Sequence, residues 1–334
     1  MQPHDYRANR ERGSGLPMGP TEYHQFLRTS RYRWWKAALA IAVIPIAYVA
    51  TTSTLTWALT LVSESCGLGL VPAETSGDGV VTMTPALLLA SNLALGLLIP
   101  VSLGLQRLLF GQPTRWMHSV QGCFRWKLAL TFAAVLVPVW IVYGTLWTMM
   151  NREAAGVSGP PATPGSTIIL FTVVLLTSPL QAAGEEYAAR GLLARSFGSL
   201  TTRPRVALLL ALLAPNAMFT AVHGLSDLWL VVYTFCCGLA FAVVTWRTGG
   251  LEGAVVLHAV NNTVLLLVAS FFSEEVTIDR SSGHGEVMLP GAFLMLASAA
   301  GMWLWARRQG ISRFADPNSG LSQSSGQGTP ARTR

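Results

Sequence analysis

The chain has 334 residues, of which 51% are apolar and only 12% charged, with a mean hydropathy of +0.44. So low a charge content excludes the ordinary soluble globular classes and points to a chain that crosses a membrane several times. The formal charge of +7 calls for no nucleic-acid partner, because arginines retained on one side of a bilayer and attracted to anionic lipid account for it.

Residues 1–33 are polar and basic and read as a cytoplasmic N-terminal tail lying on lipid headgroups. A membrane domain follows over residues 34–310. Within it, eight windows of about 20 residues are almost free of charge and long enough to span hydrocarbon. They cover roughly 37–62, 85–106, 128–149, 167–186, 206–223, 228–246, 251–272 and 287–306. The connections alternate in charge. Arg107, Arg115, Arg125 and Lys127 follow the second window, Arg190, Arg195, Arg203 and Arg205 the fourth, and Arg307, Arg308 and Arg313 the eighth. The intervening connections instead carry Glu64, Glu74 and Asp78, then Asp227, then Glu274, Glu275, Asp279 and Glu286. Lys and Arg are held on the cytoplasmic side, so both termini are expected there. Residues 311–334, rich in Ser, Gly and Gln, read as a disordered C-terminal tail. The four cysteines form neither a disulfide framework nor a zinc pattern.

Few strongly polar residues fall at depth. The fourth window ends in "QAAGEEYAARGLL", with Glu185, Glu186 and Arg190; the fifth carries Asn216 and His223; the seventh carries His258, Asn261 and Asn262. Charged groups in a bilayer cost a few kcal/mol each, so they need a partner or a purpose. Helical spacing supplies some partners. Glu186 and Arg190 are four apart and share a face, as do His258 and Asn262, and Phe219 and His223. Glu185 is turned about 100° from Glu186 and is left free for another task. Two carboxylates, two imidazoles and an amide are the residue types that activate water and stabilise the oxyanion formed when it attacks a carbonyl.

Each motif also has a plainer reading, as an interfacial ion pair or a helix-packing hydrogen bond. The coincidence on three apolar segments favours chemistry. "EEYAAR" fits EExxxR, "FTAVH" fits FxxxH and "HAVNN" fits HxxxN, in the order found in the CAAX-protease and bacteriocin-processing family of intramembrane endopeptidases. The resemblance covers residues 165–272, the expected protease core. It implies an all-α, polytopic protein of the bacterial plasma membrane that cleaves a peptide or membrane-associated protein in a polar cavity between helices. Glu185 would be the general base and His223 its helper. His258 and Asn262 would form the oxyanion hole, while Glu186 and Arg190 would orient Glu185.

The resemblance implies no metal or other cofactor. A zinc site made from Glu and His is the minority alternative, disfavoured because Asn262 is a poor zinc ligand and HExxH is absent. Two readings from other classes remain: a non-catalytic membrane scaffold or chaperone with the same pocket, and a proton-coupled transporter. A simple in-to-out helix also sets a geometric problem. Glu185 falls near the cytosolic end of the fourth window and His223 near the outer end of the fifth, so the two would not meet.

Overall fold

A computed structural model describes residues 16–17, 19–67, 80–157, 162–273 and 276–315. Residues 1–15 and 316–334 of the expected tails lie outside the described residues, as do Glu74, Asp78, Glu274 and Glu275. The protein is an all-α polytopic membrane protein. Among the described residues, eight helices are long and apolar enough to cross a membrane: α1 (Trp34–Cys66), α2 (Pro85–Phe110), α3 (Trp126–Met150), α4 (Thr167–Gly198), α5 (Pro204–Val222), α6 (Leu228–Thr248), α7 (Glu252–Phe272) and α8 (Gly285–Arg308). In each, between 11% and 39% of the most apolar stretch is buried inside the protein, so most of the apolar side chains face outward, as they do when the solvent is lipid.

The helices start and stop for local reasons. The Thr84 hydroxyl accepts from Leu87 N ahead of Pro85, and Asp227 accepts from Leu230 N, two N-caps that satisfy orphan amides. α1 and α6 end at Gly67 and Gly249, both left-handed. Inside the bundle α7 packs on α3, α4 and α6. α2 lies against α4, where Asn92 Nδ2 donates to Thr177 Oγ1 (2.9 Å) and Ser178 Oγ (3.2 Å). That approach requires Gly184, whose Cβ would collide with the Leu95 carbonyl.

Two small antiparallel pairs close the two faces. β1 (Thr21–Glu22) pairs with β4 (Phe314–Ala315), Thr21 opposite Ala315, so both ends of the described body lie on one face. On the opposite face β2 (Val80–Met83) pairs with β3 (Val276–Asp279).

Two expectations are corrected. The fourth window does not end at residue 186: α4 runs on through a π-helical turn, Tyr187–Leu193, to Gly198. Two of the charges that resembled a membrane border, Arg190 and Arg195, are buried inside the protein. Arg195 is fully buried, its Nη1 bonded to Gln106 Oε1 and its Nη2 2.7 Å from Gln112 Oε1, with its guanidinium over the rings of Tyr23 and Phe26. The second correction follows from the same cluster. The stretch from Thr21 onward is not a tail on the headgroups, because Tyr23, Phe26 and Leu27 are buried against α4 and the turn Arg115–His118. Tyr23 Oη donates to Met117 O at 2.5 Å, and Gln112 Nε2 donates to Phe26 O at 2.6 Å.

Candidate active site

The deepest charges form a closed unit. Glu186 and Arg190 are both buried, with Arg190 Nη1 3.0 Å from Glu186 Oε1, the pair expected from their spacing. Arg190 Nη2 donates to Gly238 O at 2.8 Å, which ties α4 to α6. The guanidinium also sits over Phe219 and Phe241, 4.6 and 5.3 Å from their ring centroids. Gly238 has to be glycine for this: a Cβ there would meet Asn216 Oδ1 and Arg190 Nη2.

His258 is held on both nitrogens. Its Nδ1 lies 2.9 Å from Glu186 Oε1 and its Nε2 3.1 Å from Asn262 Nδ2. A carboxylate accepts and an amide NH₂ donates, so the proton of the neutral ring belongs on Nδ1 and the lone pair on Nε2. The ring stacks on Phe241 at 4.6 Å and 12°, fixing its plane. His223 is oriented by a different device: its Nδ1 lies 2.6 Å from Phe219 O, and a carbonyl only accepts, so Nδ1 carries the proton and Nε2 is free to accept.

Glu185 has one oxygen bound and one free. Gln181 Nε2 donates to Oε1 at 2.7 Å. Oε2 is buried, makes no hydrogen bond among the described residues, and lies 3.7 Å from His258 Nε2, beyond direct bonding. Glu185 and His223 line the same cavity of about 550 Å³, together with Gln181 and Asn262. The shared cavity removes the depth conflict that simple helix borders set for these two residues. α4 continues past Glu185 for thirteen residues, to Gly198, so Glu185 sits within the helix rather than at its end. The cavity is bounded mainly by apolar side chains such as Ile44, Leu87 and Met218, and it reaches toward Ile278 and Arg280 beside β3.

All six expected residues converge here, and the Glu186–Arg190 and His258–Asn262 pairs form as expected, but Glu185 is not braced by Glu186 and Arg190. Glu186 and Arg190 touch His258 and Gly238, with no bond to Glu185. Glu185 is held by Gln181, which spacing alone could have suggested, four residues earlier on the same helix. Asn261 Nδ2 donates to Asn262 Oδ1 at 2.9 Å. No three His, Cys, Asp or Glu side chains gather to hold a metal among the described residues, and both His258 nitrogens are already committed.

Residues 165–264 match the family model described as type II CAAX prenyl endopeptidase Rce1-like, the family whose motifs the sequence resembles. This segment carries all of α4 with both glutamates, all of α5 and α6, and His258 and Asn262 on α7. No curated protein and no solved structure matches the chain.

Proposed function

We propose that this is an intramembrane endopeptidase that hydrolyses a peptide bond of a membrane-associated protein or peptide, with Glu185 as the base that activates water. One observation carries the reading. Of the two Glu185 oxygens, one is fixed by Gln181 and the other is buried, makes no hydrogen bond among the described residues and is turned toward His258 Nε2 in a cavity large enough for a peptide segment. A water between these two atoms would reach both.

In the proposed step Glu185 Oε2 takes one proton from water as the oxygen attacks the scissile carbonyl carbon. His223 Nε2, left as an acceptor by its bond to Phe219 O, helps to orient that water. The carbonyl oxygen becomes an oxyanion and takes the Asn262 N–H now given to His258 Nε2. His258 would complete the oxyanion hole only with a proton on Nε2 as well as on Nδ1. Collapse of the tetrahedral intermediate breaks the C–N bond, and the proton held by Glu185 goes to the leaving amine. No step calls for a metal. The apolar lining suits a substrate segment that arrives from lipid.

The test is cleavage of a membrane-reporter peptide library by purified protein in nanodiscs. Glu185→Gln is expected to lower turnover by at least about 100-fold, as loss of a general base does, and a strong chelator to leave wild-type turnover unchanged. Loss on chelation would favour the zinc alternative. Absence of cleavage by a folded wild type would favour a scaffold, and pH-driven solute flux without cleavage a transporter.

A further inference from the structure

The bond from Gln181 to Glu185 is the last link of a longer chain. Trp140 Nε1 on α3 donates to Asn261 Oδ1 at 3.2 Å, and Tyr233 Oη on α6 lies 3.2 Å from the same oxygen. Asn261 Nδ2 donates to Asn262 Oδ1 at 2.9 Å, Asn262 Nδ2 to Gln181 Oε1 at 3.1 Å, and Gln181 Nε2 to Glu185 Oε1 at 2.7 Å. An amide can be turned about so that its oxygen and nitrogen exchange places, so each link alone has no fixed sense. The ends remove that freedom. An indole N–H can only donate, which obliges Asn261 to present its oxygen to Trp140. An ionised carboxylate can only accept, which obliges Gln181 to present its NH₂ to Glu185. Reversing the three amides would set a carbonyl oxygen against Glu185 and an NH₂ against the indole N–H.

We propose that Trp140, Asn261 and Gln181 are positioning residues that, through Asn262, form a one-way hydrogen-bond chain fixing Glu185 by Oε1 and leaving Oε2 alone to face water. This rests on the role of Glu185 proposed above. The chain joins α3, α7 and α4, and Trp140, Gln181 and Asn261 are all buried, so water does not readily substitute for a missing link. It also makes one Asn262 hydrogen part of the chain and holds the other in a fixed direction, beside His258 Nε2, where an oxyanion could share it.

The experiment compares Gln181→Met and Trp140→Phe with wild type and with Leu176→Ala, a change on the lipid-facing side of α4. The Glu185 carboxylate stretch is assigned in nanodiscs as the infrared band lost in Glu185→Gln. That band is expected to shift in Gln181→Met and Trp140→Phe and to stay in place in Leu176→Ala. In peptide cleavage, kcat is expected to fall between about tenfold and 100-fold in Gln181→Met, the effect of one hydrogen bond to a charged group, with KM unchanged. Asn261→Asp, which still accepts from Trp140 but cannot donate to Asn262, should resemble Gln181→Met, while an intact thermal midpoint shows that each variant is folded. A band unmoved in both Gln181→Met and Trp140→Phe overturns the chain even if the wild type cleaves peptides. A shifted band in a protein that cleaves nothing supports the chain and overturns the proteolytic reading instead.

Discussion

Arg190 is a buried cation with two protein acceptors, Glu186 Oε1 and Gly238 O, and two aromatic faces beside it. Its removal leaves Glu186 as an uncompensated buried charge, which typically costs about 3–5 kcal/mol. Arg190→Met is therefore expected to lower the thermal midpoint in detergent by many degrees. Arg190→Lys should fall in between, since an ammonium is a point charge and cannot span both acceptors. The Glu186–Arg190, Phe219–His223 and His258–Asn262 pairs were legible in the sequence because helical periodicity alone brings residues four apart together. The links from Trp140 to Asn261 and from Asn262 to Gln181 were not, since they join residues 121 and 81 positions apart, and only packing brings those together.

At the scale of elements, α4 shows where composition misleads. Arg190 and Arg195 resemble the wet end of a span, yet both are buried and the helix passes between them without ending. The docking of Tyr23–Leu27 was equally hidden, because three apolar anchors in a basic stretch make no periodic pattern. That segment is expected to be sensitive to acid. Burial and the nearby Arg313 push the His24 imidazole down to about 4 from its ordinary 6.5. Glu22, 3.5 Å away, would favour the charged ring, but it is already engaged by Arg313 Nε at 2.7 Å. The undocked segment thus binds a proton more readily than the docked one. Docking is fully stable above pH 6.5 and loses stability as pH falls toward 4, by up to about 3 kcal/mol. Hydrogen exchange of the amides from Tyr23 to Leu27 should accelerate across that window in wild type and be much flatter in His24→Gln. Where α5 meets α6, Gly238→Ala forces a methyl against Asn216 and Arg190 and is expected to cost about 1–3 kcal/mol, read as a lower midpoint.

On the scale of the whole molecule, one face holds Arg115, Arg125, Arg203, Arg205, Arg307 and Arg308 beside the paired chain ends, and the other holds β2, β3 and Arg280, which lines the cavity. The expectation that the first face is cytoplasmic, from positive-inside retention, has a direct test. A cysteine placed at position 205 should then react with an impermeant thiol reagent only from that side, and one at position 280 only from the other. The pairing of Thr21 with Ala315 has a further consequence for assembly. It closes a loop of about 290 residues, for which the chain entropy is about 5 kcal/mol, and two residue pairs cannot offset that alone. The pairing therefore needs other packing to bring the two ends close. Contact between residues 21 and 315 is expected late in folding, and a disulfide engineered across it is expected to form in completed molecules and to stay open in those stalled partway through the membrane.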